Sequence, residues 1–469
     1  MKDRIWVSYK DSVYDITDFI KAHPGGTEKI LLSSGGQLEG FFKFYPFHQK
    51  DHVQKLLSQY KIGILHEDDR VKQSANGNDI DEEEEMLKQL RSKELITLQE
   101  VPLIAETNPI YLRQHFITPV SEMFIRNHQK IPQRIDPEYF KLKVFENKNK
   151  KAKYTLDDLK SNFQPKTVMS TIACSGNRRG GLKNIYPTIQ GNNWTYGAIA
   201  NCYFTGVSII DLLKDLGYDL EQIKDKHLVV EGLDIDVQGK HFQVSVPISH
   251  VIDPLNEVIL AYAQNGEELI QDHGYPLRLI VPGFVGVRNC KWVYKLSISD
   301  EEATSAQQKE NYKFIQERDS SKIDYSKYKP IFAYIINSAI TYPLDKESMI
   351  VEKDSPCIYL KGWATGNPHL GTPVKEVQIS FDNGQTWEQA QITHKEVKDH
   401  KHSKIFSWVL WEYKIDVNRF QSNQPIKASV RSVDLNGDTQ LKSIEELYNL
   451  KGLLNNSPHS VEFQFVIKE

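Results

Sequence analysis

Two groups of residues in this chain have the types and spacing to hold a redox-active metal. The first is His23-Pro24-Gly25-Gly26 together with His48. It places an imidazole where the chain turns sharply, with proline fixing φ and two glycines letting the backbone lie against a flat ligand. Between the histidines, Ile30, Leu31, Leu32, Leu38, Phe41 and Phe42 can line an apolar slot. Imidazole nitrogen is a good iron ligand when its other nitrogen is hydrogen-bonded, so the pair can clamp one iron from both sides. As an isolated tetrapeptide the same sequence is equally a plain turn, with His48 an exposed histidine.

The second group surrounds Cys174, in Ser170-Thr171-Ile172-Ala173-Cys174-Ser175-Gly176-Asn177-Arg178-Arg179. A cationic setting favours the thiolate, the soft ligand that suits redox metals, and adjacent guanidiniums can hold an oxyanion by paired hydrogen bonds. Chemistry alone leaves a buried structural thiol as good a reading. Cys202, Cys290 and Cys357 form no Cys-x-x-Cys pair with it or with each other, which argues against a disulfide framework and a structural zinc site.

These groups need elements to position them. A chain of 469 residues exceeds one ordinary core, and about three domains is the expectation. Residues 1–65 mix strand-like runs with helical spacing at Val53, Leu56, Leu57 and Tyr60, as in a small α+β domain. From 66 to 95 the composition turns polar and acidic, with DEEEE and hardly an apolar side chain up to Glu85, and reads as a mobile linker. As a flexible coil its span is on the order of 5 Å times the square root of its length, enough for the first domain to swing. Residues 96–328 form a large mixed domain. In 329–469 alternation at Val377, Ile379, Phe381 and at Val461, Phe463, Phe465, with turns at Asp382-Asn383-Gly384 and Asn436-Gly437-Asp438, reads as a β-sandwich.

The net charge of −4 gathers no polyanion, so nucleic acid is not an expected partner. No apolar run reaches membrane-spanning length, since Leu279 to Val287 is short and broken by Pro282 and Gly283. The start MKDRIWVSYKDS has no secretory or presequence character. The acidic runs are read first as solvated charge and second as a surface that steers a basic cytochrome.

The first group sits in a stretch that resembles the cytochrome b5 family: Ile5-Trp6-Val7, Tyr14-Asp15-Ile16-Thr17, the His-Pro-Gly-Gly tetrapeptide and His48. The resemblance implies a b-type haem with His23 and His48 as axial ligands, and His52, a competing second ligand by type, near the haem edge with Lys50. An iron with both axial sites filled passes electrons and does not bind substrate.

The second group resembles the molybdenum-binding domain of the sulfite oxidase and plant-type nitrate reductase family. The matching residues are Cys-x-Gly-Asn-Arg-Arg, Phe124-Ile125-Arg126-Asn127-His128, Glu231-Gly232-Leu233-Asp234, His273-Gly274-Tyr275-Pro276-Leu277-Arg278 and Val281-Pro282-Gly283 through Arg288 to Lys291-Trp292. Asn337 to Thr341 and Ser380 to Trp387 extend it into the family's carboxy-terminal domain, an immunoglobulin-like β-sandwich that commonly forms the dimer contact. The fold implied is a multidomain α+β chain: cytochrome b5-like domain, mixed α+β molybdopterin domain, β-sandwich.

By this resemblance Cys174 binds molybdenum, while Phe124, Ile125, Arg126, Asn127, His128, Asp234, His273, Arg278 and Lys291 hold the molybdopterin, with Asn289 and Cys290 contributing chiefly backbone. Arg126, Arg179, Trp194, Tyr312 and Lys451 fall in the substrate pocket. The activity implied is two-electron oxidation of sulfite to sulfate, with electrons leaving singly through the haem to cytochrome c or oxygen. Lys451 stands where the sulfite-oxidising branch has arginine, which keeps the charge and loses the fork. Ser175 replaces the usual alanine beside the cysteine. Domain order favours sulfite, since nitrate reductases place haem after molybdenum and add a flavin domain. A nitrate-reducing enzyme and a non-catalytic haem-binding protein are the alternatives. By family the compartment is the mitochondrial intermembrane space, with the cytoplasm open because no presequence is visible.

Overall fold

A computed structural model of the chain describes residues 4–24, 30–31, 33–44, 48, 50–66, 86–132, 135–236, 239–319, 322–354, 356–398, 403–440 and 443–468. Gly25, Gly26 and Leu32 and the greater part of the expected linker, 67–85, lie outside the described residues.

The amino-terminal stretch forms a three-stranded antiparallel sheet from Trp6–Tyr9, Ser12–Asp15 and Lys61–Ile64, in that order. Its alternation sends Val7 and Tyr14 inward, where they meet Ile16, Leu38 and Phe42. Asp15 fixes the exit from the hairpin by accepting from the Thr17 amide at 3.1 Å and its hydroxyl at 2.5 Å. The helix Asp51–Ser58 turns Val53, Leu56 and Leu57 toward a cavity whose other walls include Ile16, Leu38 and Phe42.

The described residues of the next unit begin at 86. Residues 86–90 are helical, and Arg91 grips the buried Asp272 with two bonds, Nε to Oδ2 at 2.7 Å and Nη2 to Oδ1 at 3.1 Å. Two five-stranded sheets follow. In one, Glu267–Glu268, Ile259–Gln264, Ile199–Ser208 and Lys166–Ala173 lie in that order, with Arg278–Ile280 also paired to Ile259–Gln264. In the other, His241–Pro247, His227–Ile235, Val293–Ser299, Leu142–Glu146 and Asn149–Tyr154 lie in order, the only parallel contact there being Val293–Ser299 with Leu142–Glu146. The first sheet is covered on both faces, so its strands read as near-continuous apolar runs, and Ile199, Ala200 and Cys202 are each fully buried.

In the last third eight strands form one hydrogen-bonded path: Asn337–Tyr342, Cys357–Thr365, Val409–Asp416, Glu388–His394, Val374–Ser380, Ile426–Asp434, His459–Lys468, Ser348–Glu352. Ile340, Leu360 and Trp411 from one end of the path share a core with Val377, Ile379, Val430 and Phe463 from the other. The turn at Asn383-Gly384 uses positive φ at both residues, 59° and 84°, which is why asparagine and glycine stand there.

The central core does not stop at the third unit. Trp363, Trp408 and Leu410 belong to the same apolar cluster as Leu260, Leu279 and Val293. The Trp408 amide donates to Thr171 Oγ1 at 2.7 Å and its indole to the Phe116 carbonyl at 2.9 Å. Gly283, at φ +80°, lets the backbone pass a carbonyl of the other unit, since a Cβ would lie 2.2 Å from Pro368 O. Trp363 is fully buried at this seam beside Trp408. Trp363→Ala is expected to lower unfolding free energy by about 3–5 kcal/mol, read from the denaturant midpoint. A loss under about 1 kcal/mol would mean that the seam carries little of the stability. Among the described residues no helix is long and apolar enough to cross a membrane.

Candidate functional site

The strand Lys166–Ala173 ends at Cys174, and the chain turns into the helix Arg179–Ile185 through a loop held by its own backbone. Asn177 N–H donates to Cys174 O at 2.9 Å, and Asn177 Oδ1 accepts from Ala198 N at 3.1 Å. The Gly176 amide points at Cys174 Sγ, 3.4 Å away. The thiol is thus placed by a strand end and a rigid loop on the floor of a cleft, 7 % exposed.

The cleft is lined by Phe124, Arg126, His128, Cys174, Asp234, His273, Arg278, Asn289, Cys290, Lys291 and Tyr312, so strands and loops far apart in sequence deliver most of the expected set to one place. Asn127 borders it and accepts from Lys291 Nζ, which also donates to Asp272 O at 2.8 Å. Ile125 is turned into the packed interior, 2 % exposed. The Asn289 amide is taken up by backbone: Oδ1 accepts from Val281 N at 2.8 Å and Nδ2 donates to Phe284 O and Val285 O. Cys290 is held as a neutral thiol, its pKa raised by burial and by Asp234, and its Sγ lies 3.5 Å from Lys291 O.

Burial dominates the electrostatics. It pushes Asp234 up to about 7, Lys291 down to about 7 with help from Arg278, Arg278 down to about 10 and His273 down to about 4. His273 is fixed by a 2.9 Å bond between Nε2 and Val120 O. Asp272 is already paired with Arg91, so Arg126, Arg278 and Lys291 outweigh the one remaining carboxylate, Asp234. Among the described residues, buried polar atoms without a hydrogen-bond partner include Asn127 Nδ2, Arg278 Nε and Asp234 Oδ1. A dry cleft with spare donors, one spare acceptor and excess positive charge suits an anionic, hydrogen-bonding ligand, and a pyranopterin phosphate beside the Cys174 sulfur meets each of those demands.

Gly232 keeps the cleft open, because a Cβ there would lie 2.6 Å from Asp234 Oδ1 and 2.8 Å from Lys291 O.

Beside the sulfur lies a cationic pocket. Arg179 donates from Nε to Lys451 O at 2.6 Å and from Nη1 to Asn192 O at 3.0 Å, and it is near enough to feel Cys174, Tyr312 and Arg126. Tyr312 is hydrogen-bonded to His128 Nε2, and burial holds its phenol in the neutral form. His128 is held neutral by burial and by Arg126 and Lys291. Lys451 Nζ donates to Asn311 Oδ1 at 2.5 Å. Trp194, fully buried, meets Phe124 edge to face behind the sulfur. The two adjacent arginines do not act as a pair: Arg178 takes φ 66° and turns away from Arg179.

Sequence reasoning missed Phe242, which packs on His128 at 5.1 Å, Asp272 and Asn311. Asp272 adjoins the expected His273 and Asn311 adjoins Tyr312, so adjacency was the one signal available for them.

In the amino-terminal unit His23 and His48 face each other across a cavity of about 520 Å³ lined mostly by apolar side chains, Ile16, Phe19, Leu38 and Phe42 among them. Their rings are 12° from parallel with centroids 6.2 Å apart. Two metal–nitrogen bonds of about 2 Å plus the two ring radii span about 6 Å, so one iron fits between them. The volume is in the ordinary range for a cofactor-sized ligand. His52 lines the same cavity, whereas Lys50 is exposed at the start of the helix Asp51–Ser58 and does not line it.

Three family models match the chain: a cytochrome b5-like heme/steroid binding domain over residues 1–66, an oxidoreductase molybdopterin binding domain over 128–307 and a Mo-co oxidoreductase dimerisation domain over 328–465. Mitochondrial sulfite oxidase of Rattus norvegicus is 33% identical over 468 residues, covering 99% of this chain and 82% of the relative. The chain belongs to the sulfite oxidase family. The Homo sapiens enzyme of the same name is 34% identical, covering 97% of this chain and 81% of that protein. Nitrate reductase [NADH] 1 of Nicotiana tabacum is more distant, 29% identical over 73% of this chain and 38% of its own length. Sulfane dehydrogenase SoxCD from Paracoccus pantotrophus shares the fold, with a TM-score of 0.61 at 23% identity over 80% of this chain and 88% of that one. This sulfite oxidase family member therefore carries both cofactor-binding domains of its relatives, and molybdopterin and haem are its cofactors.

Proposed function

We propose that the protein oxidises sulfite to sulfate at the Cys174 cleft and delivers the electrons one at a time through the haem to an external acceptor, cytochrome c or oxygen. The observation that carries this reading is the pair of guanidiniums, Arg126 and Arg179, beside the Cys174 sulfur with Lys451 next to Arg179, in a chain whose amino-terminal unit aligns two imidazoles across an apolar cavity. Cys174 would hold the molybdenum, which would supply oxygen-atom transfer and two-electron chemistry there, and His23 and His48 would hold a haem suited to single-electron transfer. Arg126 and Arg179 bind the sulfite oxygens, and their fixed guanidiniums orient it toward the metal. Arg179 is preset by its two carbonyl acceptors. Tyr312, tied to His128, is a neutral donor at the pocket wall, and Trp194 excludes water.

His128, Asn127, Asp234, His273, Arg278 and Lys291 hold the pterin and its phosphate, with Phe124 and the backbone at Ile125, Asn289 and Cys290 closing around it. His23 and His48 ligate the haem iron, and His52 lies at the haem edge. The boundaries 1–65, 66–95, 96–328 and 329–469 divide haem unit, linker, catalytic unit and an immunoglobulin-like sandwich. That sandwich carries the homodimer contact, consistent with the dimerisation-domain match. Its compartment in this reading is the mitochondrial intermembrane space, and relatives named as mitochondrial support the mitochondrial part of it.

Sulfite-dependent reduction of cytochrome c, run beside a nitrate-reduction assay, tests the reading. Sulfite activity with no nitrate activity is expected, and the reverse would overturn it. Within the pocket, Lys451→Ala is expected to raise the KM for sulfite about tenfold with a smaller change in kcat, since it removes one charge-assisted contact worth about 1.4 kcal/mol. Lys451→Arg restores the KM. An unchanged KM in the alanine variant would remove Lys451 from the pocket.

A further inference from the structure

Arg178 serves a different cavity from its neighbour. Its left-handed turn carries the guanidinium away from the Cys174 cleft to the wall of a second, polar cavity of about 820 Å³, lined by both the central unit and the last third. Arg178 is 6 % exposed. Its Nη1 donates to Asn337 Oδ1 and to Ser457 O, each at 2.7 Å, and both acceptors are neutral. Its buried Nε has no hydrogen-bond partner, and it forms no ion pair among the described residues. A buried cation without a counter-ion is unfavourable unless an anion completes the site.

Two further cations line the same cavity. Arg431 lies over the Trp387 ring at 4.1 Å and donates from Nε to Gln378 Oε1 at 2.8 Å, leaving both terminal nitrogens of its fork unassigned. Lys427 is exposed at the rim. Two carboxylates also line the cavity and keep their charge, Asp345 accepting from Glu462 N at 2.8 Å and Glu445 from the Ser443 hydroxyl, so Arg178, Arg431 and Lys427 exceed them by one positive charge. Ser429 and Ser460, 2.8 Å apart, add hydroxyl donors. His459 is held neutral by burial and by Arg178, so it adds no further positive charge.

We propose that this cavity binds a small multivalent oxyanion, a tetrahedral dianion of the sulfate class, with Arg178 as the buried anchor and Arg431 and Lys427 closing over it. Guanidinium forks and hydroxyls are the donors that match such an anion. The site stands independently of the activity assigned to the cleft.

The test uses the full-length holoenzyme. Crystals soaked in selenate are expected to show selenium anomalous signal within hydrogen-bonding distance of Arg178 and Arg431, separate from any signal beside Cys174. In solution, sulfate is expected to raise the melting temperature of the wild type beyond a chloride control at equal ionic strength. In the double variant Lys427→Gln/Arg431→Gln the sulfate midpoint should rise at least about tenfold. The sulfite KM of the same variant should stay within about twofold, which separates this cavity from the cleft. Absence of selenate, a carboxylate of a second copy seated on Arg178, or a crystal signal with an unchanged solution midpoint, meaning an adventitious ion only, would each overturn the proposal.

Discussion

Cys174→Ser is expected to abolish sulfite-driven reduction of the haem, with the rate falling on the order of a thousandfold or more. The substitution is nearly isosteric, and the loop around it is held by Asn177 and by backbone bonds that do not use the sulfur, so the fold should survive. What changes is the ligand. A serine hydroxyl stays protonated at neutral pH and is a hard donor, whereas a thiolate is the soft, anionic ligand that such a metal requires. The cleft keeps Arg278, Lys291 and its unpaired donors, so pterin binding should largely persist while turnover is lost. Stopped-flow haem absorbance after sulfite addition, alongside molybdenum and pterin content, separates these outcomes. Turnover above about a tenth of wild type would remove Cys174 as the metal ligand.

His48→Ala should break the circuit at its other end. With one imidazole gone, iron between the paired rings loses an axial nitrogen, and the apolar walls of the cavity supply no replacement. His52 lines the same cavity and is the other imidazole among its described lining residues. The expected result is loss of the six-coordinate haem spectrum and a fall of more than about tenfold in sulfite-dependent cytochrome c reduction. Sulfite-dependent reduction of a small artificial acceptor that draws on the cleft directly should continue. If the spectrum survives in His48→Ala but not in His48→Ala/His52→Ala, then His52 serves as a ligand. Loss of the artificial-acceptor activity together with the haem would contradict a division of labour between the two sites.

How much of this could be read from the chain depended on range. Strand alternation is a local property, and Val377, Ile379, Val461, Phe463 and Phe465 are buried as their period of two requires. The His-Pro-Gly-Gly turn and the Cys174 loop could be recognised because their chemistry lies within a few consecutive residues. The polar composition of 66–95 is likewise local, but it cannot reveal that Arg91 closes on Asp272, 181 residues away. The continuity of the central core into Trp363 and Trp408 was equally hidden, since an apolar residue does not state which neighbour it will meet.

The arginine pair after Cys174 shows the division most clearly. The sequence by itself determined that this protein has a cysteine beside two arginines and a pair of histidines that could clamp an iron, because residue type fixes what chemistry is available. Only the tertiary structure decided that Arg179 faces the sulfur while Arg178, turned by a single left-handed residue, faces another cavity. A side chain's direction follows from backbone dihedrals and long-range packing, and adjacent positions in sequence can therefore serve different sites.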